Sequence, residues 1–192
     1  MAEADTLHDA FIDELHDIYD AEHQLTKALP KLAKTASAAP LRDAFESHLR
    51  ETQGHIKRLE QVFTTLEEKA EGKHCAGIAG IIEEGKSVME KSFDDATMDA
   101  CLIAAGQRAE HYEMAAYGSL IAWARAMGHD EAADLLQENL DEEKAADTKL
   151  SSLAEGGINE AAAELAQADD ETADADEPSA RKSATTKAKS RH

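Results

Sequence analysis

Four long stretches of this sequence place apolar side chains at alternating three- and four-residue steps, and each is interrupted near its middle by an ionisable residue. That stepping keeps side chains on one face of a helix, so each stretch reads as a helix with one buried seam. The first seam runs Leu7, Phe11, Leu15, Ile18, Glu22, Leu25, Leu29 and Leu32. The second runs Leu41, Phe45, His48, Glu51, His55, Leu59, Val62 and Leu66. The third is Ile103, Gly106, Glu110, Glu113, Tyr117, Leu120, Ala124 and Met127, and the fourth is Leu136, Leu140, Glu143, Asp147, Leu150 and then Leu153 or Ala154. Alanine, leucine, glutamate and lysine dominate and β-branched runs are absent, which favours helix throughout.

Breakers set the organisation. Pro40 suits the first turn of a helix, while Gly72 and Gly77 interrupt the chain after it. Ile78 to Lys91 reads as a short connecting helix, Ser92 to Asp95 offers caps for the next long one, Gly128 separates the third and fourth helices, and Gly156-Gly157 ends the fourth. Pro30 lies inside the first pattern and is expected to kink that helix or end it early. The expected helices, 6–37 with 40–70 and 96–127 with 129–155, form two hairpins joined by a long crossover that contains the short helix. This predicts an all-α four-helix bundle over residues 1–160. Residues 161–192 lack aromatics and read as a disordered tail, acidic from Glu164 to Glu177 and basic from Arg181 to Arg191.

The seam residues are the chemical signal. In a chain of 40 acidic against 20 basic residues some carboxylates fall on any face, and a single seam glutamate is often an edge residue or an ion-pair partner. Four helices interrupted at matched depth form a different pattern, because burying one unpaired carboxylate costs several kcal/mol. No lysine occupies an adjacent seam position; Arg50, Arg58, Arg108 and Lys144 fall on neighbouring faces. A pair of divalent cations resolves the deficit. Internal repetition agrees: Ala21-Glu22-His23 recurs as Ala109-Glu110-His111, and Glu51-x-x-x-His55 is answered by Glu143-x-x-x-Asp147. Each hairpin thus offers one glutamate and one pair of ligands a turn apart, as a binuclear site requires. Oxygen donors with few imidazoles suit iron or manganese. Glu113 is a further ligand or an acceptor that orients one, and His48 reads as a packing or hydrogen-bonding partner.

Other classes recede. No stretch approaches the ~20 apolar residues of a membrane span, and Met1 to Asp5 lacks the pattern of a secretion signal, so the expected compartment is the cytoplasm. Cys75 and Cys101 match neither a disulfide framework nor a zinc pattern and read as buried thiols. A net charge of -20 repels phosphate backbones and anionic lipid, leaving at most weak nucleic-acid contact through the basic tail. Tyr19, Tyr112 and Tyr117 cluster around the seam glutamates, where core packing with a polar tip is the favoured reading over one-electron relay.

The stretches Glu14 to Glu22, Leu49 to His55 and Gln107 to Gly118 resemble the YciF-type branch of the ferritin-like superfamily, over about residues 6 to 158. The resemblance implies a ferritin-like bundle, a di-iron centre, a homodimer and a link to bacterial stress. Carried over by position, the single glutamates are Glu22 and Glu110, and the paired ligands are Glu51 with His55 and Glu143 with Asp147. The pairs are spaced one residue wider than the superfamily's usual E-x-x-H, and Asp147 replaces a histidine, which puts ferroxidase chemistry in doubt. The expected function is a stress-associated di-metal protein, holding two iron or manganese ions and reacting with dioxygen or peroxide. Glu51 and Glu143 would bridge the ions. The alternatives are a structural protein that metal merely stabilises, or iron storage of the mini-ferritin kind.

Overall fold

The computed structural model describes residues 6–175, with side chains through residue 167. Helix α1 (Leu7–Thr35) begins at a capping box: the Thr6 hydroxyl accepts from the Asp9 amide, and the Asp9 carboxylate accepts from the Thr6 amide. Helix α2 (Ala39–Thr65) carries Pro40 in its first turn, and Ala38, at its cap position, provides no side-chain hydrogen bond. Asp99, buried on the next hairpin, accepts instead from the Ser37 and Ala38 amides at 2.8 and 2.7 Å. One carboxylate therefore caps α2 and ties the two hairpins together.

Short helix α3 (Ala76–Met89) fills the crossover, followed by α4 (Asp95–Met127), capped by Asp94, and α5 (Asp130–Leu153). Gly128 ends α4 at φ +80°, a left-handed conformation that costs glycine nothing, and its amide closes onto the Ala124 and Arg125 carbonyls. Helix α1 packs on α2 and α4, and α5 packs on α2 and α4. Neighbours run antiparallel, so the diagonal helices α2 and α4 run parallel, and the long crossover links their ends. Helix α3 lies against α4 and α1.

The predicted bundle of two hairpins is present, with boundaries within a few residues except for α2, which stops at Thr65 rather than 70. Pro30 does not end α1, which continues to Thr35. The proline sits on the exposed face, where the carbonyl it leaves unbonded can turn to water. Leu7 starts the first seam but is 43 % exposed, because it lies at the open end of the bundle. Beyond α5 the chain kinks at Gly156 and Gly157, the latter at φ +123°, and continues into α6 (Asn159–Ala175), which packs on α4. Helix therefore covers the start of the stretch expected to be disordered from 161, consistent with its alanine and glutamate content. Residues 176–192, including the basic segment, lie outside the described residues. No helix among the described residues is long and apolar enough to cross a membrane.

Candidate metal centre

The four long helices bring six ionisable side chains to one level of the core. Helix α1 supplies Glu22, α2 supplies His48 and His55, α4 supplies Glu110 and Glu113, and α5 supplies Glu143. All six are buried. Aliphatic and aromatic layers close the level off on both sides, Leu15, Ile18, Leu59 and Leu120 toward one end and Leu29, Phe45, Leu102 and Leu150 toward the other. Gly106 permits this closeness, since a Cβ there would meet Leu150 Cδ1 at 3.0 Å and Phe45 Cε1 at 3.2 Å.

Among the described residues two groups of donor atoms emerge, His48 with Glu110, Glu113 and Glu143, and Glu22 with His55 and Glu143; within each group the atoms lie within 4.8 Å of one another. Glu143 belongs to both. The atoms facing this space lack hydrogen bonds: Glu22 Oε2, His55 Nδ1, Glu110 Oε2, and both carboxylate oxygens of Glu113 and Glu143. Native interiors seldom leave polar atoms in this state, and seven at one level need a partner. His55 Nδ1 stands 2.9 Å from Glu143 Oε1 and 3.3 Å from Glu22 Oε1. Its alignment with neither oxygen is that of a hydrogen bond, so the short approach counts as charge proximity and leaves the nitrogen free to bind a cation.

Polar neighbours fix these ligands from behind. His55 Nε2 lies 2.9 Å from Glu142 Oε2, and Glu142 is held in turn by the Arg58 guanidinium. With Nε2–H donating to that carboxylate, Nδ1 faces the cluster, where a cation would take the place of its proton. The fully buried Tyr117 hydroxyl donates to Glu22 Oε1 in a short hydrogen bond and accepts from Asn139 Nδ2 at 3.0 Å. Arg58 Nη1 donates to Asn139 Oδ1, which joins both supports into one network.

Of the residues expected from the seams, Glu22, His55, Glu110, Glu113 and Glu143 converge, whereas Glu51 and Asp147 do not. Glu51 is 39 % exposed at its side chain, and its Oε2 approaches His48 Nδ1 at 3.2 Å from outside. The inward row of α2 is His48, Thr52, His55 and Leu59; a step of four rather than three after His48 turns the helix by about 100° and puts Thr52 where Glu51 was expected. The fully buried Thr52 bonds its own helix through the His48 carbonyl. Asp147 faces α4, where it meets His111 Nε2 and Gln107 Nε2, both at 3.2 Å. His48, read from sequence as a packing partner, points Nε2 at Glu110 Oε1 and Glu143 Oε2, at 3.3 and 3.5 Å. The pairing of Arg58, placed from sequence on a neighbouring face, with Glu142 carried no sequence signal, because it depends on how α2 lies along α5. Cys75 is buried and Cys101 half-buried; both are free thiols.

Without cations, burial favours the protonated forms of Glu110, Glu113 and Glu143. Burial pushes Glu113 well above the usual carboxylate range, reinforced by Glu143 and Glu22, and burial does the same to Glu110 against the opposing pull of His48. Glu143 is raised by burial, partly offset by His55. For His55 burial works downward, yet Glu143 and Glu22 outweigh it and lift the imidazole to about 11. His48 is likewise raised, by Glu110 and Glu51 acting against burial. Cations entering such a site displace protons, so affinity rises with pH.

This arrangement occurs in a chain with well-defined relatives. The curated protein YciF of Escherichia coli (strain K12) is 46% identical over 158 residues, covering 82% of this chain and 95% of that protein. The crystal structure of the E. coli stress protein YciF superposes with a TM-score of 0.78 at 46% identity, over 80% of this chain and 98% of that one. YcfI from Rhodopseudomonas palustris gives 0.76 at 45% identity, over 79% and 96%. A protein from Xanthomonas campestris, 20% identical with a TM-score of 0.65 over 84% and 99%, shares the fold. The profile described as "Domain of unknown function (DUF892)" matches residues 6–163, and the chain belongs to that family.

Proposed function

We propose that this chain is a di-metal carboxylate protein that holds two iron or manganese ions in the bundle core and reacts with dioxygen or peroxide. The observation that carries the reading is the set of buried, unbonded donor atoms, divided into two groups that share Glu143. Glu22 and His55 would hold one ion and His48, Glu110 and Glu113 the other, with Glu143 available to both. Four glutamates match the charge of two divalent ions when both imidazoles are neutral, so the metal removes the deficit that burial creates. Oxygen donors in excess of nitrogen, with no thiolate among them, favour iron or manganese over zinc or copper. Ions bound there would supply electrons and Lewis acidity toward the oxidant.

The chain's own contribution is positioning and exclusion. Glu142 fixes the His55 ring, Tyr117 holds one oxygen of Glu22, and the aliphatic layers keep bulk water away. Glu51, at His48 Nδ1, orients that ring so that Nε2 faces Glu110 and Glu143. The E. coli relative is described as a stress protein; we carry that setting over, together with a cytoplasmic location and a homodimer.

The test adds ferrous ion anaerobically and then supplies air or peroxide to the loaded protein. The reading expects saturable binding, followed by consumption of oxidant in proportion to bound metal. Absence of saturable binding refutes it. Binding without oxidant consumption leaves a scaffold that metal stabilises, in which chelation lowers the melting temperature and nothing else changes.

A further inference from the structure

Among the described residues, two openings reach the buried cluster at His48 and Glu110. They differ in chemistry. The slot between α1, α3 and α4 is walled by Leu25, Leu29, Ile81, Ile82 and Met89 and holds about 60 Å³. That is room for about two waters, and a hydrated cation passing between such walls would lose its water shell with nothing to replace it. The opening between α2 and α5 holds about 400 Å³ and presents the carboxylates of Asp43 and Glu51 and the Ser47 hydroxyl.

We infer that the α2/α5 opening is the port through which divalent cations enter and leave the buried centre, with Glu51 and His48 as successive points of attachment. This rests on the metal centre proposed above. The geometry is a relay. Glu51, 39 % exposed at its side chain, stands 3.2 Å from His48 Nδ1, and the same ring reaches to 3.3 Å from Glu110 Oε1 on its inner side. Glu110 is 2 % exposed and lines the inner end of the opening, and its Oε2 lacks any hydrogen-bond partner. An unsatisfied buried carboxylate at the end of an acid-lined opening is a sink for cations. Lys149, on the α5 wall, is the opposing charge at the mouth. Glu51 is thus carried over from the expected ligand set to a different role, capture rather than retention.

Capture and retention separate in time, so the experiment follows the loading of cobalt(II) into the metal-free full chain by stopped-flow absorbance, at low ionic strength. Glu51→Gln slows loading on the order of 10-fold, and Lys149→Glu speeds it by a similar factor, because mouth charges act on encounter rates. Ala146→Trp, which fills the opening, also slows loading. All three reach the wild-type amount of cobalt at equilibrium, which shows in the same samples that they are folded. Gly85→Leu, in the apolar slot, loads at the wild-type rate. Wild-type loading rates in both Glu51→Gln and Ala146→Trp overturn the port while leaving the centre intact. A lower cobalt content in Glu51→Gln makes Glu51 a ligand and also overturns the port. A wild-type chain that takes up no cobalt removes the centre and the port together.

Discussion

Replacing Glu113 by leucine should change the stability of this protein in opposite directions depending on whether metal is present. Glu113 is fully buried and neither carboxylate oxygen has a partner. In the metal-free protein burial and the neighbouring Glu143 and Glu22 favour the protonated form, raising its pKa well above 4.5. What remains is a neutral polar group buried without hydrogen bonds, a cost of about 1–3 kcal/mol. Leucine has nearly the same volume and no polar atom, so Glu113→Leu stabilises the metal-free protein by about that amount. For a chain of this size each kcal/mol raises Tm by about 2–4 °C. With metal present the sign reverses. Ligand at 100 times its Kd stabilises the wild type by about 2.7 kcal/mol per site, and the variant loses a donor and most of that gain. The assay is thermal unfolding of both proteins in chelator and in excess manganese(II). A metal-free variant that melts below the wild type refutes the reasoning, since Glu113 would then be making stabilising contacts rather than awaiting a cation.

Three further outcomes follow. Glu142→Ala removes the carboxylate that orients His55 and leaves Arg58 partly unpaired; metal affinity should fall by about 10- to 100-fold, read by competition with a chromophoric chelator. Asp99→Ala leaves the Ser37 and Ala38 amides without their acceptor and should destabilise the fold by about 1.5–3 kcal/mol in denaturant titration, with metal content unchanged. The pH dependence has a definite sign: the folded-state pKa of Glu113 lies above the unfolded 4.5, so the folded chain binds the extra proton. Its contribution to metal-free stability is complete below pH 4.5 and is lost as pH rises through the folded pKa. Subtracting the pH–stability curve of Glu113→Gln from that of the metal-free wild type should isolate a difference falling with pH, and a rising difference contradicts the assignment.

The bundle was legible because helical periodicity and a few breakers say the same thing: Pro40 opens a helix, Gly128 closes one, and the leucine stripes face one another. Five of the convergent residues were legible for the same reason, as ionisable interruptions of those stripes. Glu51 lies outside the inward row because three- and four-residue steps differ by one helical position, and periodicity alone cannot choose between Glu51 and Thr52. Asp147 shows the same ambiguity a turn beyond Glu143, resolved toward His111 and Gln107 on α4. The Arg58–Glu142–His55 support was beyond sequence reasoning, since it exists only once two helices distant in the chain lie side by side. Pro30 shows the limit of a local rule: a proline on the solvent face of a well-buried helix need not end it.

In the proposed centre one carboxylate, Glu143, is shared by two adjacent cation sites. Metal-free protein titrated with manganese(II) under equilibrium dialysis should bind about two ions per chain, as two-metal carboxylate sites do. Glu22→Ala should retain about one of them, and Glu143→Ala should lose saturable binding of both. Binding by Glu143→Ala equal to the wild type would contradict the account, as would a wild-type chain that binds no manganese in saturable fashion.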